Sequence, residues 1–197
     1  SVSIAGPKKV STTRASALSL RAIGTVPTCP GDSQERHALS YSWKVYKGSL
    51  FQSSVASSSR DPRYFKLPSY TLEVNTVYTV IVTASLDNEE ASSSITVEVG
   101  SAGVVAAITG GRRRSGSTTS SIELESASYS IDYPANETAI SYQWSCSEIS
   151  PNYGNECPAS LVDYTKSVAS ILADTFTRSV TASYAITLEV ENSEGRS

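Results

Sequence analysis

Few side chains of this chain could do covalent or metal chemistry, because its 197 residues include only three cysteines and one histidine. Cys146 ends a predicted strand, and Cys157 closes a following loop rich in Pro, Asn and Gly. A disulfide between them would stabilise the fold by about 2–3 kcal/mol. The alternatives are two free thiols or half of a zinc site, but zinc normally needs four ligands. We expect the disulfide, which implies an oxidising compartment.

The remaining thiol and the histidine both lie in loops. Cys29 has no obvious mate in its half of the chain, so a bridge to another segment or chain and a free thiol both remain open. His37 would have to serve any Ser-His-Asp triad, yet the sequence has no Gly-x-Ser-x-Gly nucleophile turn. Acidic residues occur in turns and on polar strand faces, where solvated carboxylates belong. We therefore expect no catalytic residue, no metal and no cofactor.

Two polar segments are candidates for modification or ligand contact. Asn136-Glu-Thr138 fits the acceptor pattern for N-glycosylation and precedes a predicted strand. Arg112, Arg113 and Arg114 follow Gly110-Gly111 and could contact sulfated glycans or anionic lipid head groups. The interpretation that we favour for the arginines is a solvated turn in a Ser- and Thr-rich loop.

A period of two dominates the rest of the chain and predicts β-strands with one buried face. Leu39, Tyr41, Trp43 and Val45 alternate with polar residues. The run 77–84 is rich in β-branched residues and predicts a central strand. Because no segment sustains a helical stripe, the predicted class is all-β.

Composition narrows the function classes. Apolar residues make up 39% of the chain and charged residues 18%, and the net charge is −3. This charge does not predict a nucleic-acid partner. No stretch approaches the ~18 consecutive apolar residues of a membrane span. Solubility therefore depends mainly on serine and threonine hydroxyls.

The second half of the chain repeats the first. Leu39-Ser-Tyr-Ser-Trp43 matches Ile140-Ser-Tyr-Gln-Trp144, and Tyr78 matches Tyr184 in a later strand. A Gly-Ser-Ala-Gly segment separates the copies, which predicts antiparallel β-sandwich modules over residues 1–101 and 102–197. After Tyr184 only 13 residues remain. We therefore expect the second module to lack its last strand, which downstream sequence or a neighbouring chain would supply.

The matched aromatic residues are expected to be core anchors. Trp43 and Trp144 occupy equivalent strand positions with apolar residues two positions away, which favours core packing over a sugar-stacking platform. Tyr78 and Tyr184 have the same character. Each tyrosine hydroxyl is expected to hold a neighbouring loop, as in the tyrosine corners of β-sandwiches.

Together these patterns resemble the receptor-for-egg-jelly (REJ) region of polycystin-1-like proteins, which is built from sandwiches akin to PKD, fibronectin type III and immunoglobulin-like domains. The residues that carry the resemblance are Ile140-Ser-Tyr-Gln-Trp-Ser-Cys146 with Cys157, Leu67-Pro68 with Asn75-Thr-Val-Tyr78, and Gly110-Gly-Arg with Ile122-Glu-Leu124. The first copy departs from the pattern because it lacks the cysteine pair. The resemblance implies a cell-surface location, often on cilia, flagella or gametes, and no catalysis.

We therefore expect a non-catalytic pair of extracellular modules that acts as spacer and adhesive contact surface in a larger glycoprotein. The expected partners are other extracellular domains, including neighbouring copies, with glycans as further candidates. One alternative is a carbohydrate-binding accessory module of a secreted enzyme. The other is a filament subunit that assembles by strand exchange.

Overall fold

A computed structural model describes residues 1–26, 38–117, 119–136, 139–157, 161–173 and 182–192. These residues form fifteen β-strands and no α-helix, so the all-β class predicted from the period-two patterns is confirmed. The chain divides into two units, Ser1–Ala102 and Gly103–Ser197. Within these ranges there is no helix that is long and apolar enough to cross a membrane.

The first unit consists of two sheets. The smaller sheet has the order β1 (Val2–Ile4), β3 (Leu18–Gly24) and β6 (Tyr64–Leu67). The larger sheet has the order β2 (Lys9–Thr13), β8 (Glu89–Gly100), β7 (Thr76–Leu86), β4 (Ser40–Lys47) and β5 (Leu50–Phe51). As the β-branched run predicts, β7 lies between two hydrogen-bonded neighbours.

One strand pair corrects the expectation of purely antiparallel sheets. β2 pairs with β8 in parallel, with Val10 opposite Val97, whereas every other pair among the described strands is antiparallel. Gly6 has a φ of 104° and lies between β1 and β2. The chain therefore turns at Gly6 and adds its first two strands to different sheets. A parallel pair needs a long connection between its strands, and residues 14–88 provide it.

The two sheets of the first unit bury one face each against a shared core. The alternation of β3 and β7 places every second side chain inside, as a period of two requires. The buried residues are Leu18, Leu20, Val45, Phe65, Leu67, Leu72, Tyr78, Val80, Ile95, Val97 and Val99. Trp43 is partly buried and packs against this cluster.

The second unit contains three small sheets among its described residues. One pairs β9 (Val104–Val105) with β11 (Tyr129–Ser130). Another has the order β10 (Ile122–Glu125), β14 (Val168–Ile171) and β13 (Leu161–Val162). The third pairs β12 (Ile140–Ser150) with β15 (Ser183–Asn192). Its core cluster consists of Leu124, Trp144, Ala169 and Ile171.

The strand register relates the two units through the residues that the repeat matched. Trp43 lies opposite Val82 in the β4–β7 pair, and Trp144 lies opposite Leu188 in the β12–β15 pair. Four residues further along each tryptophan strand, Lys47 lies opposite Tyr78 and Glu148 lies opposite Tyr184. The predicted last strand of the second module would follow β15, and residues 193–197 lie outside the described ranges.

Candidate functional site

The tryptophan of the first unit holds a turn from the opposite sheet. Trp43 donates a hydrogen bond from its indole Nε1 to the carbonyl oxygen of Pro62 at 2.9 Å, and its ring centroid lies 5.4 Å from that of Phe65. The neighbouring Asp61 and Arg63 form an ion pair of 2.7 Å. Side-chain and backbone hydrogen bonds from Arg63 lower the pKa of Asp61. The indole therefore holds a turn that also carries its own ion pair.

The second unit has an equivalent arrangement at Trp144. Its Nε1 donates to the carbonyl oxygen of Lys166 at 2.9 Å, and its backbone N–H donates to that of Tyr164 at 2.8 Å. Lys166 pairs with Asp163 at 2.8 Å, so this turn also joins an aspartate to a nearby cation. The Trp144 side chain is 2% exposed. Both tryptophans thus hold a turn that an aspartate begins.

Tyr78 holds a second loop of the first unit. The residue is 3% exposed, and its hydroxyl oxygen accepts a hydrogen bond from the backbone N–H of Glu73 at 3.1 Å. The Glu73 carboxylate in turn pairs with the Lys47 ammonium, which raises the pKa of Lys47. Tyr184 lies at the matching position of the second unit and is partly buried. A buried tyrosine that accepts from a loop N–H has the function of a tyrosine corner.

The structure joins Cys146 and Cys157 in a disulfide, with a Cα–Cα distance of 5.5 Å. The enclosed segment is a hairpin, because the backbone N–H of Glu148 donates to the carbonyl of Asn155 and that of Gly154 donates to the carbonyl of Glu148. The disulfide thus closes the base of a hydrogen-bonded hairpin.

The tip of this hairpin is held by a carboxylate. Glu148 is 9% exposed, and its Oε1 accepts a hydrogen bond from the backbone N–H of Asn152 at 3.2 Å. The Ser150–Pro151 peptide bond is cis. Tyr153 at the tip is 87% exposed. The hairpin therefore presents an aromatic ring to solvent on a braced backbone.

The predicted glycosylation residue lies in a tight turn. The backbone N–H of Asn136 donates to the carbonyl of Tyr133 at 3.0 Å, and Asn136 is partly buried. Thr138, the third residue of the acceptor pattern, lies outside the described ranges.

The three arginines lie in one exposed loop but differ in their contacts. Arg114 donates from Nη1 to the carbonyl of Glu123 at 3.1 Å, and its guanidinium lies against Gly110. With Thr109, Glu123, Glu125 and Val168 it lines a groove of about 460 Å³. Arg112 and Arg113 are exposed. Arg114 is thus held by contacts within its unit, whereas Arg112 and Arg113 are exposed to solvent.

The remaining candidates lie outside what the structure describes, since Cys29 and His37 both fall in residues 27–37. Within the described ranges no group of three His, Cys, Asp or Glu residues could hold a metal ion. Sequence reasoning missed the carbonyl acceptors of the two tryptophans. The signal for them was the Asp-Pro-Arg and Asp-Tyr-Thr-Lys segments that follow each tryptophan strand.

A family comparison matches most of the chain. The model of the REJ domain family matches residues 28–197, which extend across both units. No curated protein sequence matches the chain.

Several solved structures are similar over almost the whole chain. The titin domains Z1Z2 in complex with telethonin are 11% identical with a TM-score of 0.42, and the match covers 97% of this chain and 94% of that one. Three N-terminal domains of the bacteriophage RB49 outer capsid protein Hoc are 15% identical with a TM-score of 0.32, covering 97% of this chain and 62% of that one. Sidekick-1 immunoglobulin domains 1–4 are 11% identical with a TM-score of 0.33, covering 97% and 48%. Because these scores are low, the fold assignment rests on the sheets.

Proposed function

The chain belongs to the REJ domain family, whose members are extracellular, and from this premise we propose that it is a pair of load-bearing spacer modules in a larger cell-surface glycoprotein. The modules correspond to residues 1–101 and 102–197, and a ciliary or flagellar surface is the proposed setting. The proposed partners are other extracellular domains, including neighbouring copies of this chain. No catalytic role is assigned.

The observation that carries this proposal is the way both units use their large aromatic residues. Trp43 and Trp144 each hold a turn, and the buried Tyr78 holds a loop. Residues with these hydrogen bonds connect strands to the segments that cover them, which resists separation of the sheets under load. Acidic groups have a similar structural use, since Asp61 and Asp163 pair with cations of their own turns.

The disulfide supports both the extracellular setting and the mechanical role. A bridge between Cys146 and Cys157 persists in oxidising compartments. When the second unit unfolds under force, the bridge also keeps the enclosed segment from extending, so the gain in chain length is smaller.

Single-molecule force spectroscopy on the full chain tests the proposal. We expect two separate unfolding events, one for each module. Reduction should lengthen the second module's event by about 3 nm, because 11 residues at ~3.5 Å each are released from a Cα–Cα span of 5.5 Å. A chain that extends without resistance, or an event length that ignores reductant, would contradict the spacer role.

A carbohydrate-binding accessory module is a second candidate. The observation that favours it is the exposure of Tyr153, at 87%, and Tyr129, at 47%. Exposed aromatic rings stack on sugar faces. A glycan array probed with the full chain tests this function, with Tyr153→Ala as the variant that should lose any binding.

A filament subunit is a third candidate. Among the described strands β15 is hydrogen-bonded in a sheet to β12 alone. An open edge can accept a strand from another chain. Sedimentation at increasing protein concentration tests this assembly, and a chain that stays monomeric throughout would contradict it.

A further inference from the structure

The sequence contains two runs of adjacent basic residues, and the structure treats them differently. Lys8–Lys9 is the first run, and Arg112–Arg114 is the second. Lys9 begins β2, where its Nζ pairs with Glu98 Oε1 at 2.7 Å. The carbonyl of Lys8 accepts a hydrogen bond from the backbone N–H of Thr96 at 2.9 Å. The lysine run is therefore fixed to the sheet.

The arginine run lies in a loop whose described part is open to solvent. Every residue from Gly111 to Ser117 is exposed, and none belongs to a strand. No backbone–backbone hydrogen bond joins residues 110–117 to another described residue. A backbone of this kind can enter an extended enzyme cleft without breaking a sheet.

The three arginines differ in the contacts of their guanidinium groups. The Arg114 guanidinium is held by the Glu123 carbonyl and by Gly110. Arg112 and Arg113 form no ion pair with a described residue. Their guanidinium groups are therefore available to acidic specificity pockets, which bind such groups with paired, charge-assisted hydrogen bonds.

We propose that this loop is a processing site for an extracellular serine protease of paired-basic specificity, which cuts the Arg113–Arg114 peptide bond. Arg113 would fill the pocket next to the cut and Arg112 the pocket before it. One water is consumed, so that Arg113 gains a carboxylate and Arg114 gains a free amino group. The protease supplies the nucleophile and is regenerated.

The structure also indicates that the two products stay together. The segment before the loop runs antiparallel to residues 125–131, and Val104 and Val105 pair with Ser130 and Tyr129. Further hydrogen bonds run from Thr109 N–H to the Glu125 carbonyl and from Ala127 N–H to the Ala107 carbonyl. Cleavage would therefore leave the first unit attached to the second through an inserted strand.

This inference goes beyond the proposed function, because cleavage of the loop does not depend on what the modules bind. The test is digestion of the purified, folded chain with a paired-basic serine protease, followed by peptide mass spectrometry and native gel filtration. We expect fragments 1–113 and 114–197 that elute together, and cleavage after Lys9 at least about tenfold slower.

Matched variants make the result specific. The double variant Arg112→Gln/Arg113→Gln should abolish cleavage of the loop, whereas Lys8→Gln/Lys9→Gln should leave it unchanged. A denaturation curve for each variant shows whether it is folded. We expect both variants to fold, because the substituted residues are exposed. The site is overturned if the protease cuts the unfolded chain but not the folded one. It is also overturned if the folded chain is cut after Lys9 as fast as in the arginine loop. Separate elution of the fragments overturns the retained strand.

Discussion

In the first unit a tryptophan that is only partly buried packs beside a cluster of eleven buried residues, whereas in the second a fully enclosed tryptophan belongs to a described cluster of four. Trp144 is therefore one of the four buried residues of its described cluster, whereas Trp43 packs against its cluster from outside. The second unit also contains the disulfide, close to Trp144 on the same strand. The comparison teaches that the same tryptophan hydrogen bond to a turn carbonyl occurs beside described clusters of different size, and that the disulfide lies on the tryptophan strand of the unit with the smaller described cluster.

Replacing the two tryptophans in turn should give the largest difference between the units. Trp144→Ala should destabilise its unit by about 3–5 kcal/mol, because it leaves a cavity and removes the hydrogen bond to the Lys166 carbonyl. Trp43→Ala should have a smaller effect, since that side chain is partly exposed. Hydrogen exchange with mass spectrometry, followed peptide by peptide, measures each unit separately. Equal losses in both units would remove the asymmetry on which the comparison depends.

Breaking the disulfide should sharpen the comparison next. Cys146→Ser/Cys157→Ser should destabilise the second unit by about 2–3 kcal/mol, because the loop of 11 residues is no longer constrained when the chain is unfolded. The first unit should be unaffected. Chemical denaturation with and without reductant gives the same measurement on the unmodified chain. An effect of reductant that remains in the double variant would point to Cys29 instead.

The residues themselves explain which parts of this picture the sequence predicts. Alternation and the matched Trp and Tyr positions are local patterns, and these predict the strands and the repeat. The register that places Trp43 opposite Val82 and Trp144 opposite Leu188 is known only from the structure. The carbonyl acceptors at Pro62 and Lys166 lie 19 and 22 residues from their tryptophans. The Asp-Pro-Arg and Asp-Tyr-Thr-Lys segments indicate a turn at each place, but they do not specify which strand residue the turn contacts when the loop folds back. The parallel β2–β8 pair is non-local for the same reason.

Removing one hydroxyl tests whether the first unit depends on its tyrosine corner. Tyr78→Phe should destabilise that unit by about 1 kcal/mol, because the Glu73 N–H loses its buried acceptor. Tyr46→Phe is the matched control, since its ring packs against Phe51 near the sheet edge. Urea denaturation followed by the fluorescence of Trp43 in a Trp144→Phe background measures the first unit alone. Equal effects of the two substitutions would mean that the corner contributes nothing.

The smallest expected effect concerns the pH dependence of the Asp61 turn in the first unit. Arg63 lowers the pKa of Asp61, so its contribution to stability is fully present above the unfolded value of about 3.9 and is lost as the pH falls through the lower folded value. Asp61→Asn should therefore flatten the acid-range decline of the first unit and leave that of the second unchanged. Arg63 is exposed and Asp61 is only partly buried, so the change should be slight and should shrink further in high salt. Unfolding midpoints measured from neutral pH into acid, in low and high salt, would test this. A decline that persists unchanged in Asp61→Asn would assign it to other carboxylates of the first unit.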